Sequence, residues 1–161
     1  MNARIENTEE EKGSVKVQAT DLSMFYKENV EMPENKKIVA SKRMKNPQTG
    51  EPLEWEIRAL TAERMSVLRT KCMRLMATPG KNQILTQQLD QEKFTAELAA
   101  SATVFPDLQN AALQDSYGVK DEISLLRAML MPAEYDNYTM KVSEINGYNP
   151  SMDDLVNEAK N

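Results

Sequence analysis

The stretch that most constrains the fold is "KIVASKRMKNPQTGEPLEWEI", residues 37–57. In its second arm Leu53, Trp55 and Ile57 alternate with Glu54, Glu56 and Arg58. That is the period-2 pattern of a strand with one wet face. The segment "NPQTGEP" between the arms is dense in turn formers, which predicts an antiparallel hairpin. Pairing Met44 with Leu53 sets Arg43 opposite Glu54, Lys42 opposite Trp55 and Ala40 opposite Ile57. This register joins apolar to apolar and opposite charges to each other, and a one-residue slip spoils both faces. A two-stranded hairpin is marginal alone, so its Leu53, Trp55 and Ile57 face must lie on helices or on another chain.

Beyond residue 60 the reading is helical, cut into short pieces by Pro and Gly. Thr61 caps a helix carrying Met65, Leu68, Cys72 and Leu75 on one stripe, which Pro79 and Gly80 stop. Asp90 caps a second, with Phe94, Leu98 and Ala102 on its stripe, running to Phe105. Pro106 closes that helix, and Asp107 caps a short one with Leu108, Ala111, Ala112 and Leu113, ended by a left-handed Gly118. Ile123, Leu126 and Leu130 mark a helix up to the break at Pro132, and Tyr135, Tyr138, Val142 and Ile145 mark another, stopped by "NGYNP". Ser151 and Asp154, a variant capping box, open a last helix with Met152, Leu155, Val156 and Ala159.

Ahead of the hairpin, residues 1–20 are polar, acidic and aperiodic, which predicts a flexible tail. Asp21 then caps one or two helical turns, with Leu22, Met24, Phe25 and Tyr26 docking by their aromatic side. The expected fold class is mainly α (α+β): a compact bundle of short helices with one N-terminal antiparallel β-hairpin. The expected organisation is a tail over 1–20 and a single domain over 21–161, with the hairpin at about 37–59 and the helical region at about 61–160. At 161 residues such a domain buries roughly 70% of the surface its unfolded chain exposes.

Composition narrows the function. The net charge is -5, and the 20 Lys and Arg are scattered among 25 Asp and Glu rather than gathered in a stripe. That argues against nucleic acid, because phosphate binding needs a concentrated positive footprint. No run of apolar residues is long enough to span a bilayer, so a cytosolic protein is expected. There is no histidine and only one cysteine, Cys72. A Cys–His nucleophilic pair and a thiolate zinc site therefore cannot be assembled within one chain. Cys72 reads as a small core residue.

The Asp115, Ser116 and Tyr117 cluster lacks a base in a defined relation to the hydroxyl, so it reads as a joint between helices. The acidic runs "TEEEK" and "SMDDLVNE" lack calcium-loop or paired-helix spacing. No glycine-rich phosphate loop exists. No catalytic residue, cofactor site or metal site is expected. One surplus remains: eleven methionines. Unbranched thioethers fill irregular cores, and on surfaces they let a groove accept varied apolar partners.

Several blocks also carry a likeness. "TVFPDLQNAALQDSYGV" (103–119), "AMLMPAEYDNYTMKVSEINGYN" (128–149) and the closing "SMDDLVNEAK" follow "KKIVASKRMKN" and "LEWEIRALTAE" upstream. Together they resemble the XkdN-like tail assembly chaperones of tailed phages and phage-like elements of Gram-positive bacteria, from about residue 21 to the C-terminus.

The resemblance implies a phage tail assembly chaperone that binds the long, helical, hydrophobic tape-measure protein. It would keep that client soluble, help tube subunits assemble around it, and leave before the tail is complete. The implied partners are the tape-measure protein and the tail-tube protein, with no membrane and no nucleic acid; a homo-oligomer stays open. The implied place of action is the cytoplasm of the bacterial host. Protein-binding residues, chosen by residue type, are Trp55, Met73, Met76, Tyr117, Met131, Tyr135 and Tyr138. The alternative is a permanent structural component of the tail, its hairpin joined to a neighbouring subunit's sheet edge.

Overall fold

A computed structural model describes residues 17–80 and 84–148. The chain divides into two compact units, Met1–Met32 and Pro33–Asn161. In the described part of the first, Asp21 accepts a hydrogen bond from the Ser23 amide at 3.2 Å and caps a 3-10 turn, Leu22–Phe25. A second 3-10 turn covers Lys27–Asn29. Leu22, Met24, Phe25 and Tyr26 are all exposed.

The second unit is an α+β fold. Strand β1 (Lys36–Ile38) pairs antiparallel with β2 (Trp55–Ile57), and β2 pairs on its other side with β5 (Thr103–Phe105). Trp55 and Ile57 point inward and are buried, while Glu56 between them is half-buried on the other face. The alternation thus acts as read for this pair. Leu53, expected on the same buried face, lies outside the strand and is 44% exposed.

The register differs from the expected one. Ile38 pairs with Trp55, Lys37 with Glu56 and Lys36 with Ile57. Near the turn the expected alignment does hold, with Lys45 bridging Pro52 and the Leu53 amide donating to the Met44 carbonyl at 2.8 Å. Between these two stretches the first arm leaves the ladder, so Arg43 does not face Glu54, nor Ala40 Ile57.

The reason lies in competing partners far along the chain. Ala40 and Ser41 are buried, and Glu134 accepts from the Ser41 hydroxyl at 2.8 Å and from the Arg43 guanidinium at 3.0 Å. Arg43 also donates to the Met129 carbonyl at 2.9 Å. A forked, charge-assisted contact of this kind outweighs one exposed cross-strand ion pair.

Helix α1 (Ala62–Lys71) starts as expected, with the Thr61 hydroxyl accepting from the Arg64 amide at 3.2 Å. It stops at Cys72, short of Pro79 and Gly80, so Leu75 is not on a helical stripe. The next residues form β3 (Met73–Ala77), which pairs antiparallel with β4 (Leu85–Leu89). The expectation of helix throughout 61–160 is therefore corrected at β3, β4 and β5. Leu, Met and Ala favour helix intrinsically, but the ten-residue ladder between these strands satisfies their backbone groups with partners that local pattern does not reveal.

Helix α2 (Gln91–Ala102) is central. Asp90 caps it as expected, accepting from the Lys93 amide at 3.1 Å. Its buried Ala96, Ala99, Ala100 and Ala102 let α1, α4 (Glu122–Met129) and α5 (Pro132–Ile145) approach it closely. The Lys71–Glu97 pair at 2.8 Å ties the end of α1 to α2.

The joint over 104–119 is built differently from the reading. Phe105 is in strand, the Phe105–Pro106 bond is cis, and Asp107 accepts from the Gln109 amide within a turn. The cap of α3 (Ala111–Ser116) is Asn110, whose side chain accepts from the Leu113 amide at 2.9 Å. Leu108 sits buried ahead of the helix. Gly118 does end it, at φ +67°. The Val119 amide donates to Gln114 and the Gly118 amide to Asp115, the paired bonds of a left-handed helix stop.

Asp121 caps α4 through the Ser124 amide at 2.8 Å. Pro132 opens α5, where it costs no hydrogen bond. The core joins Trp55 and Ile57 to Met65, Leu98, Leu125, Leu126, Tyr138 and Val142. The predicted last helix from Ser151 lies outside the described residues.

Candidate protein-binding surface

The seven residues expected to bind a partner fall into two groups. Trp55 and Tyr138 are core residues, 3% and 1% exposed, with ring centroids 5.3 Å apart at 71°. That edge-on contact stabilises the sheet-to-α5 packing. The Tyr138 hydroxyl bonds to Thr103 at the start of β5, and burial pushes its pKa up to about 12. Tyr135 is half-buried against the same core. In this fold Trp55 and Tyr138 are buried core residues.

Tyr117, Met131, Met73 and Met76 are exposed. Tyr117 ends α3 and Met131 precedes α5, where the Glu134 carboxylate accepts the Met131 amide at 2.8 Å. The Arg43 guanidinium beside Glu134, joined by the Met131 amide and the Ser41 hydroxyl, holds that carboxyl at about 2. Met131 is thereby fixed in backbone while its side chain stays free.

Met73 and Met76 belong to the β3–β4 ribbon, where sequence reasoning missed the larger feature. Directly opposed residues of an antiparallel pair share a face. The register pairs Met73 with Leu89, Leu75 with Gln87 and Ala77 with Leu85 on one side. On the other side it pairs Arg74 with Gln88 and Met76 with Thr86. One face is thus apolar apart from Gln87 and carries no charge; the other is mostly polar. Leu75 and Leu85 are 63% and 64% exposed, and Leu89 alone in the two strands is even half-buried.

The ribbon's base is anchored. Arg74 pairs with Asp90 at 3.4 Å, and the Asp90 amide donates to the Cys72 carbonyl at 2.9 Å. The signal that would have found it is the one used for the first hairpin: "TPG" set between apolar-bearing runs.

The other candidate chemistry is used up locally. The Ser116 hydroxyl donates to the Leu113 carbonyl at 2.7 Å, and Lys120 pairs with Asp115 at 2.6 Å. Cys72 is buried, and burial pushes its thiol pKa up, away from a reactive thiolate. Among the described residues no three acidic or cysteine side chains gather as a metal site would need. Among them, too, every buried side-chain polar atom has a hydrogen-bond partner. No helix among the described residues is long and apolar enough to cross a membrane.

The described residues thus present an exposed apolar ribbon beside a packed core. The family of phage XkdN-like tail assembly chaperone proteins matches residues 22–160. The chain belongs to that family. It is 29% identical over 142 residues to the phage-like element PBSX protein XkdN of Bacillus subtilis (strain 168), covering 88% of this chain and 94% of XkdN. Protein YqbN of the same organism is also 29% identical over 142 residues, with 88% and 93% covered. The solved structure of YqbN superposes with a TM-score of 0.67 at 26% identity, covering 82% of this chain and all of that one. The membership covers both the core and the ribbon.

Proposed function

We propose that this tail assembly chaperone binds the tape-measure protein, keeps its apolar stretches in solution and assists tail-tube assembly in the host cytoplasm, without catalysis. The single observation that carries this reading is the ribbon. A monomeric protein seldom leaves Leu75, Leu85 and Met73 exposed side by side on an uncharged face unless something covers them. A long client with repeated apolar helical stretches is such a cover, and membership of the family supplies the context of tail assembly. Tyr117 and Met131 are further contact candidates because they are exposed.

Co-expression tests the reading. The tape-measure protein of the same phage should move from the insoluble to the soluble fraction when this chain is present and should co-purify with it. If the client stays as insoluble with this chain as without it, the reading is wrong. Mass spectrometry of finished particles should find the chain absent, and stoichiometric copies there would establish a permanent tail component instead.

A further inference from the structure

We propose that the apolar face of the β3–β4 ribbon receives one amphipathic α-helix of about three turns, laid along the strands. The identity of the donor rests on the function proposed above; the mode of binding rests on the ribbon itself. An apolar sheet face must be covered by another layer. Elsewhere in this chain that rule is obeyed by a helix: Trp55 on β2 packs against Tyr138 on α5. Among the described residues no helix covers Leu75 and Leu85, which remain more than half exposed.

Size selects the occupant. Five residues per strand make a face about 17 Å long, and two strands with their side chains make it about 10 Å wide. An α-helix is about 10 Å across and covers 17 Å in about eleven residues. A stable dimer needs about 800 Å² from each partner, several times this footprint, so a second copy of the chain is not the natural occupant.

The asymmetry of the ribbon separates a helix from an added strand. A strand joining a free edge bonds to backbone and sends side chains to both faces alternately. Such an edge gains nothing from having Met73, Leu75, Ala77, Leu85 and Leu89, with Gln87, on one side and Arg74, Thr86 and Gln88, with Met76, on the other. A helix docked on one face uses that difference fully. Its own stripe should be apolar and uncharged at i, i+3, i+4 and i+7, because the receiving face has no charge to pair.

The test uses the full chain and two probes. The first is a synthetic peptide of helical apolar spacing, against a peptide of the same composition with strict alternation. The second is the tape-measure protein of the same phage. The helical peptide should bind the wild-type chain at least about tenfold more tightly than the alternating one. Leu75→Glu with Leu85→Glu should weaken it by a similar factor, and Thr86→Glu with Gln88→Glu should change it by less than about twofold.

Leu75→Ser alone, checked by circular dichroism for an unchanged fold, should weaken binding in the same direction. Preference for the alternating peptide overturns the helix mode, equal losses in both double variants overturn the face, and failure of the helical peptide to bind overturns the whole proposal. Dimerisation of the wild-type chain that Leu75→Glu abolishes would replace the helix with a second copy. Binding of the helical peptide without binding of the tape-measure protein would sink the proposed client and leave the docking mode standing.

Discussion

Among the described residues two small antiparallel sheets meet opposite fates. In β1–β2–β5 the inward residues Ile38, Trp55 and Ile57 are 6%, 3% and 0% exposed. In β3–β4 the equivalent apolar side chains Leu75 and Leu85 are 63% and 64% exposed. Both have short strands, both carry apolar residues on one face, and both have a Pro- and Gly-bearing segment between two paired strands. The difference lies in what packs on each face: α5, far along the chain, sets Tyr138 against Trp55 of β2, whereas α2, which follows the ribbon directly, turns its alanines into the core. An apolar strand face is therefore a demand for cover, and only tertiary connectivity decides whether the same chain meets it.

The widest gap should appear on truncation. Trp55→Ala removes a ring packed against Tyr138 and should cost about 3–5 kcal/mol in urea unfolding, as large-to-small changes in cores do. Leu75→Ala should shift the same midpoint by no more than about 0.5 kcal/mol, as exposed substitutions do. Comparable losses at the two positions would erase the contrast.

A second experiment asks what draws the first arm out of the expected register. Glu134 has its pKa lowered from an ordinary 4.5 to about 2 by Arg43, the Met131 amide and Ser41. A depressed folded-state value means that the carboxylate's stabilisation is fully present above pH 4.5 and is lost as pH falls toward 2. Glu134→Gln should remove this part of the acid sensitivity, so wild type and variant converge in stability as the pH approaches 2. Parallel curves across that window would show that Arg43 and Ser41 do not depend on the charge.

The smallest change in stability should accompany the largest change in binding. Leu75→Ser should leave the thermal midpoint nearly unmoved, within about 0.5 kcal/mol, yet reduce retention of the tape-measure protein in the co-expression assay. A variant that retains the client fully would turn attention to Tyr117 and Met131.

Much of the fold could be read from local signals. The caps at Thr61 and Asp90, the stop at Gly118 and the break at Pro132 each depend on a few neighbouring residues, and each appears where expected. Register was not legible, because it turns on Glu134, 91 residues from Arg43. Through Cys72 and Leu75 the sequence continues the helical apolar spacing of Met65 and Leu68 up to Pro79, while the strand partners of residues 73–77 lie beyond a turn.

The candidate contact residues meet the same limit in another form. Trp and Tyr are rich in contact area wherever they lie, so residue type alone could not tell the buried Trp55 and Tyr138 from the exposed Tyr117. Met73 is exposed, yet the most exposed ribbon residues are leucines.

Cys72, enclosed where α1 gives way to the ribbon, has one practical consequence. As the chain's single thiol, buried and disinclined to ionise, it will leave maleimide chemistry almost entirely to any sulfhydryl engineered on the surface. Leu75→Cys or Gln88→Cys, each carrying a fluorophore, would then report which side of the ribbon loses contact with water when a client arrives, with no background label to subtract.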